Sequence, residues 1–427
     1  MSDVIFARLE VGGWRQFDQV EIDLHDRLTV ITGANGAGKS TLLGLLTQHF
    51  GWNRPYLGVP KKNDAGGLTY MSGWVKDILK RLRFRDRAEN AVGSISYSDG
   101  EKCVISVAES GNYQVHVELA NQRNVSGILI DSHRPTPYYS QVGSIPMRPM
   151  TAEQSFNNYN NEMLHRYQGS HTGSSPIYRM KESLISMAIF GEGNSRIGGA
   201  NAAILETFDG FNQVLRDLLP ESLGFREIAI RAPEVVLVTE SGDFMLDASS
   251  GGIMTIIDTA WRIYMYSRDK RRFVVIMDEP ENHLHPSMQR TLMGRLIKSF
   301  PQAQFVIATH SPFMVSSVKD SSVHVLQYKR DSRELSADVG ISAGRKVFSQ
   351  KISTTNMSAT AAEVLREVLG VPATMPEWVE MEIEAIVARY RGQQLSSDMM
   401  AGMRADLANL GFGQYFAEAV GRLAGAR

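Results

Sequence analysis

The sequence predicts an α/β fold: a mixed central sheet carrying an antiparallel β-meander, a helical lobe and a C-terminal helical extension. Three observations carry that expectation. A glycine-rich loop, Gly33–Thr41, stands between an apolar strand and a leucine-rich helix. Val274-Val275-Ile276-Met277 is continuously apolar, as in a parallel strand buried on both faces, and it ends in Asp278-Glu279. Tyr113, Val115, Val117 and Leu119 alternate with polar residues, the period of a half-buried antiparallel strand.

In chain order, Val4–Leu9 and Gln19–Leu24 read as short strands around a Gly12-Gly13-Trp14 turn. Leu28–Thr32 is a third strand. Ser40–Phe50 follows as a helix with Leu42, Leu43, Leu45 and Leu46 on its apolar face. Met71, Trp74, Val75, Ile78, Leu79 and Leu82 recur at helical spacing and predict an amphipathic helix over Met71–Arg83. Residues 94–130 read as the meander, with turns at Asp99-Gly100 and Ser110-Gly111-Asn112. Residues 131–176 are rich in Ser, Pro, Asn, Tyr and Gly and read as loop plus a short polar helix. Two helices fill 177–219, and strands return at Ile228–Arg231 and Val235–Thr239. A helix runs from Gly252 to Ser267, Gln304–Thr309 is a second buried strand, and the chain reads helical from Ala359 onward. Strands alternating with helices make an α/β core. The expected division is a head over 1–345 and a C-terminal helical domain over 346–427. Within the head, 1–130 holds the phosphate loop and meander, 131–225 is an insertion of helices and loops, and 226–345 holds the acidic strand.

Composition narrows the function classes. A length of 427 residues suits two to three domains at about 150 residues each. Hydrophobic content of 43% and charged content of 21% argue against a mostly disordered chain. No apolar run approaches the roughly 20 residues of a membrane helix. No secretory signal is visible at Met1-Ser2-Asp3-Val4, and a reducing, cytoplasmic setting is expected. One cysteine, Cys103, forbids a disulfide framework or an all-cysteine zinc site, and reads as a small strand residue. With 45 basic and 46 acidic residues the net charge is −1, so any nucleic-acid binding must come from a local patch.

The chemistry gathers in a few motifs. Gly33-Ala34-Asn35-Gly36-Ala37-Gly38-Lys39-Ser40-Thr41 fits G-x-x-x-x-G-K-[ST] at every fixed position, after a strand and before a helix. Glycines let backbone N–H groups close around phosphates, and the helix N-terminus favours negative charge. Lys39 can reach the β- and γ-phosphates, and the Ser40 hydroxyl can ligate Mg²⁺. In such a fold Asp278 holds the Mg²⁺, and Glu279 is the base that polarises attacking water.

Two further features select among phosphate-loop proteins. Asp247-Ala248-Ser249-Ser250-Gly251-Gly252 precedes the acidic strand, and Ile307-Ala308-Thr309-His310-Ser311-Pro312 follows it. This order resembles the ATP-binding-cassette (ABC) class of ATPases. Asp278-Glu279-Pro280-Glu281-Asn282-His283-Leu284-His285-Pro286 is similar to a soluble AAA-type branch of that class. The branch includes the overcoming-lysogenization-defect, Septu-type and retron-associated defence ATPases, and more distantly the RecF, Rad50 and SMC heads. The resemblance covers about residues 1–345 and is loose between 50 and 225.

What the resemblance implies is an ABC-type head that uses ATP and Mg²⁺ as an ATP-sandwich homodimer. Asn35, Gly36, Ala37, Gly38, Lys39, Ser40 and Thr41 would bind the nucleotide. Ser249, Gly251 and Gly252 would meet the γ-phosphate held by a second subunit. His310 matches the histidine that senses that phosphate, and Leu284-His285 falls at the dimer-contact loop. Ala248 and Gly252 depart from the usual signature, where leucine and Gln or Glu are common. The glutamine that bridges metal and water is not placed, with Gln141 and Gln154 as candidates. No strand-borne Asp-x-Asp appears in the last 80 residues, so no nuclease is expected in this chain. A separate effector, a nuclease or toxin, is the implied partner of a defence ATPase. A RecF-like DNA clamp is the alternative.

Several residues admit two readings. Lys76, Lys80, Arg81, Arg83, Arg85 and Arg87 offer a phosphate-backbone surface, or a solvated face balanced by Asp77 and Asp86. Arg268, Lys270, Arg271 and Arg272 read as a solvated turn. Glu281, His283 and His285 lack the further ligands of a closed zinc site. Trp14, Arg15 and Phe17 suit either an adenine-side turn or the core. Arg134 can meet a phosphate or a carboxylate, or form a surface ion pair. Met381, Ile383, Ile386, Val387 and Tyr390 recur at helical spacing, as core or as a docking face.

Overall fold

Five apolar strands lie parallel at the centre of the head, in the order Ser322–Lys329, Leu28–Gly33, Ala303–Ala308, Phe273–Asp278 and Gly127–Ile130. Their near-continuous apolar sequences suit burial on both faces. Val30, Ile31, Val275, Ile276, Val306 and Ile307 have no solvent exposure. The computed structural model describes residues 3–62, 67–71, 90–107, 113–146, 148–170, 172–193, 199–329, 346–352, 361–365, 376–392 and 396–425.

The same sheet continues on the other side to eleven strands. Lys346–Lys351 pairs antiparallel with Ser322–Lys329 and parallel with Phe17–Asp23. Phe6–Val11, Ala91–Tyr97, Lys102–Val107 and Val117–Ala120 then complete an antiparallel meander. Cys103 sits buried on one of these strands. Helix Lys39–Thr47 packs against the parallel block, burying Leu42, Leu43, Leu45 and Leu46.

A helical lobe flanks the sheet. Helices Ala152–Tyr167, Pro176–Glu192 and Ala202–Leu218 pack around one another and against Gly251–Ser267. Each begins at a side-chain cap, from Thr151, Ser175, Asn201 and Ser250 respectively. A three-stranded sheet, Phe225–Arg231, Glu234–Thr239 and Phe244–Met245, carries the chain between Ala202–Leu218 and Gly251–Ser267.

Several expectations need correction. Gly127–Ile130 is not the end of the meander. Its Ile128-Leu129-Ile130 run is wholly buried, and it pairs parallel with Phe273–Asp278. The alternating stretch 113–119 is not one strand. Gln114–Val115 pairs with Tyr56–Leu57, and Val117–Ala120 joins the large sheet. The polar helix in 131–176 is not short. It has 16 residues, because Phe156, Tyr159 and Met163 form a buried stripe in a polar sequence. Met71 ends a strand, Leu68–Met71, and the rest of the amphipathic helix expected over Met71–Arg83 lies outside the described residues. So do Lys76, Lys80, Arg81, Arg83, Arg85 and Arg87.

The structure divides into units 1–364 and 365–427, while the strand Lys346–Lys351 belongs to the large sheet of the first. In the second unit, helices Glu377–Tyr390, Ser397–Asn409 and Phe416–Gly425 bury Ile383, Ile386 and Val387 with Met399, Met403 and Leu407. Met381 stands outside that core, 67% exposed. Among the described residues no helix is long and apolar enough to cross a membrane.

Two histidines inside the head give its stability a pH dependence. His49 contacts the Leu46 carbonyl and the Tyr97 hydroxyl, and His324 contacts Ser322 and the Asp23 carbonyl. Burial holds both imidazoles down to about 4. The unfolded chain therefore binds protons near pH 6.5 that the folded chain refuses until about 4. We expect urea-unfolding stability to fall as pH drops from 6.5 towards 4, by about 3 kcal/mol per histidine at most. His49→Gln and His324→Gln should each flatten that dependence.

Candidate active site

All the catalytic-type motifs but one emerge from neighbouring strand ends. The parallel register sets Asp278 beside Ala308, Ala308 beside Ile31, and Met277 beside Ile130. The loops that follow therefore stand side by side at the carboxyl edge of the block, where open α/β sheets bind ligands. They are the phosphate loop, Thr309–Ser311, Asp278–Asn282 and Asp131–Arg134.

The phosphate loop is built on glycine. Gly33 has φ 141° and sits so close to Ser322–Lys329 that a Cβ would fall 2.4 Å from the Leu326 carbonyl oxygen. Gly38 has φ 97°, and a Cβ there would meet the Phe17 ring at 2.4 Å. Ala34, Asn35 and Gly36 are exposed at the tip, and Ala37 is buried beneath. Lys39 is only 6% exposed and curls back, its Nζ donating to the Gly33 and Ala34 carbonyls at 3.0 and 3.2 Å. Burial lowers its pKa, and Asp278, Glu279 and Glu281 oppose that shift. An ammonium at the first turn of a helix, acted on by three carboxylates, suits a polyanion carrying a divalent cation.

Ser40 donates to Asp278, which offsets part of the upward shift that burial gives the Asp278 carboxyl. Hydroxyl and carboxylate are hard oxygen donors that fit Mg²⁺. Among the described residues no group of three or more His, Cys, Asp or Glu could hold a metal by itself. Phosphate oxygens and water would supply the remaining ligands. Glu281, His283 and His285 accordingly form no metal cluster. His285 instead caps helix Pro286–Ser299 through the Ser287 N–H.

Glu279 occupies φ 46°, a conformation that costs a non-glycine residue about 1 kcal/mol or more. Asn282 Nδ2 holds its carboxylate at 3.0 Å and also donates to the Ser132 carbonyl at 3.3 Å. Glu281 Oε1 accepts from Thr309 Oγ1 at 2.7 Å, the His310 N–H at 2.8 Å and the Ser311 N–H at 3.2 Å. The His310 loop is thus clamped to the acidic turn. Burial lowers the His310 pKa, Lys39 adds to that, and Glu279 and Glu281 oppose it.

The signature segment packs elsewhere in the chain. Cβ atoms added at Gly251 or Gly252 would lie 3.6 Å from the His283 side chain and 2.7 Å from its carbonyl oxygen. No described hydrogen bond joins Ser249, Gly251 or Gly252 to the phosphate loop. Ser249 Oγ is buried without a partner. Lys181, 1% exposed, anchors the segment from below through Asp247 Oδ2, with Glu234 at 3.5 Å and the Ser140 carbonyl at 2.7 Å. Leu284 is buried in its own chain, while His283 and His285 are exposed.

Other expectations resolve locally. Trp14 and Phe17 belong to the core, and the Arg15 guanidinium lies over the Trp14 and Tyr56 rings at 5.4 and 5.1 Å. Gln154 is spent in a capping box with Thr151, and Gln141 is exposed. Among the described residues Arg134 forms no surface ion pair. It donates to the Asp131 carbonyl, and its Nε and Nη2 are buried without partners. Sequence reasoning missed Glu281 as a clamp, Asn282, Lys181, and the buried Asp258–Arg262 pair at 3.9 Å. For Glu281 a signal existed, its place just beyond the paired carboxylates. Lys181 and Asp247 lie too far apart in sequence to be matched.

Residues 8–209 match a family model described as "AAA domain", and 263–316 one described as "AAA domain, putative AbiEii toxin, Type IV TA system". The chain is similar to a Septu protein PtuA of Bacillus thuringiensis, 18% identical over 415 residues, covering 90% of this chain and 88% of that protein. A 53-residue stretch is 36% identical to a Vibrio cholerae serotype O1 biovar El Tor protein named "Retron Vc95 probable ATPase", spanning 12% of this chain and 10% of that one. Among solved structures, a Smc head domain with an extended coiled coil, bound to the C-terminal domain of ScpA derived from Pyrococcus furiosus, is 13% identical, with a TM-score of 0.43 over 86% of this chain and 99% of that one.

Lys181 gives the region a test. Lys181→Met should strand the Asp247 carboxylate, whose side chain is 3% exposed, and cost about 3–5 kcal/mol in urea unfolding. Lys181→Met with Asp247→Leu should recover most of that loss.

Proposed function

We propose that this chain, an ABC-type P-loop ATPase of the branch that includes Septu and retron-associated ATPases, hydrolyses ATP as a nucleotide-sandwiched homodimer. In this reading it is the cytoplasmic sensor subunit of an antiphage system and controls a separate nuclease or toxin. The observation that carries the enzymatic part is the convergence of Lys39, Ser40, Asp278, Glu279 and His310 on one edge of the parallel block. Support for a second chain comes from Ser249, Gly251 and Gly252, which stand at the start of a helix and, among the described residues, make no hydrogen bond to the phosphate loop of their own chain. The names of the relatives support the defence role.

Bound Mg²⁺ would neutralise charge on the β- and γ-phosphates. Lys39 would leave its loop carbonyls for those oxygens. Asn282 holds the Glu279 carboxylate where it can accept a proton from the attacking water. His310, kept largely neutral at pH 7 by burial, would donate towards the γ-phosphate from a loop fixed by Glu281. Ser249 and Gly251 of the second copy would close the other side.

Lys39→Ala should weaken ATP binding about tenfold or more. Glu279→Gln should keep binding but lower kcat about 10²-fold or more, and run as a dimer with ATP in gel filtration. Hydrolysis per chain should rise with protein concentration until dimers saturate; a constant rate per chain would refute the sandwich. Recovery of Glu279→Gln from its host with ATP should bring down a stoichiometric protein that carries nuclease or toxin residues. DNA alone, released by moderate salt, would replace the defence reading with a RecF-like clamp.

A further inference from the structure

Among the described residues Gly127–Ile130 stands last in the order of the large sheet, so one of its edges has no strand beside it. The Ser126 carbonyl accepts from the Val274 N–H. Carbonyls alternate between the two edges of a strand, so that of Leu129, three residues on, faces away from Phe273–Asp278. Leu129 is only 4% exposed, and a buried carbonyl needs a donor. Arg262 supplies it: its Nη2 donates to the Leu129 carbonyl.

Arg262 belongs to helix Gly251–Ser267 and has no solvent exposure. It is itself held in place. Asp258, one turn earlier on that helix, lies 3.9 Å from Nη1 and accepts from the Tyr159 hydroxyl of helix Ala152–Tyr167. The guanidinium also lies 5.8 Å from the centre of the Trp52 ring. Desolvating a guanidinium costs more than one hydrogen bond to a carbonyl returns, so stability alone does not account for an arginine here.

Three residues beyond Leu129, the same main chain is held from the side of the acidic turn. The Ser132 carbonyl accepts from Asn282 Nδ2 at 3.3 Å, and the same nitrogen holds the Glu279 carboxylate at 3.0 Å. Arg262 and Asn282 thus grip one short run of backbone, Leu129–Ser132, at its two ends. If that run shifts, the Ser132 carbonyl moves, and Nδ2 loses its reach to one of its two acceptors. We propose that Arg262 is a positioning residue for hydrolysis: through Leu129–Ser132 and Asn282 it sets the Glu279 carboxylate against the attacking water. It acts through these groups and not on the nucleotide. The inference rests on the proposed function, in which Glu279 is the base.

The test is a double-mutant cycle on ATP hydrolysis by the full-length protein, at concentrations where the wild-type rate per chain no longer rises. Arg262→Lys keeps the charge and loses the planar fork that serves Leu129 and Asp258 together. It should lower kcat about tenfold and leave KM for ATP within about twofold. Asn282→Ala should lower kcat at least as much. The combined variant should match Asn282→Ala within about twofold, because the route from Arg262 is already cut. Asp258→Asn, which loosens the guanidinium without removing it, should lower kcat about threefold and lose that effect in the Asn282→Ala background. It keeps the cycle decisive if Arg262→Lys does not fold. A purely structural role would instead lower urea-unfolding stability alone, or give losses that multiply in the combined variant. Unchanged kcat, a rise in KM alone, or multiplied losses overturn the proposal while the ATPase reading stands. A wild-type chain that binds ATP without turning it over removes the proposed function, and this inference with it.

Discussion

Everything in the head depends on the register of the buried parallel strands. Val30, Ile276 and Ile307 are locked between neighbours with no solvent exposure, so a one-residue slip would exchange every side chain between two closely packed faces. The four loops that follow inherit positions fixed by that packing. Lys39, Asp278, Glu279 and His310 sense one another's charge because the sheet brings their loops together, although they come from distant parts of the chain.

Carboxylates then do two kinds of work at that edge. Glu279 faces the site with its carboxylate held by Asn282. Glu281, two residues on, is consumed by Thr309, His310 and Ser311. One turn therefore presents a carboxylate to chemistry and uses another as a fastener for the loop of a neighbouring strand. Behind it, Lys181 and Asp247 fix the signature segment with a buried ion pair, so the start of the long helix is held by charge as well as by packing.

What the sequence made legible was local. The phosphate loop is a strand, a loop and a helix in one short stretch, and the acidic strand announces itself by a run of apolar residues and two carboxylates. The Asp247–Gly252 and Ile307–Pro312 segments were picked out by their order along the chain, and the structure brings the second to the acidic turn. What escaped was non-local. Gly127–Ile130 looks like any short apolar strand until Phe273–Asp278 is placed beside it. Helix Ala152–Tyr167 hides a buried stripe among asparagines and glutamates. Lys346–Lys351 has no pattern that ties it to Phe17–Asp23, and the Asp131–Arg134 loop gains its character only from the burial around it.

The closure of the large sheet also sets a clock on the ribosome. Phe17–Asp23 emerges well before its partner on one side, Lys346–Lys351, whose Ser349 hydroxyl bonds the Glu21 carbonyl across 328 residues. At about 5–20 residues per second that partner arrives roughly 15–65 s later. Through that interval the growing chain carries an open strand edge, the kind of surface that other chains can add to. The head is thus finished late in its synthesis, and its early half relies on something other than its own last strand to keep that edge covered.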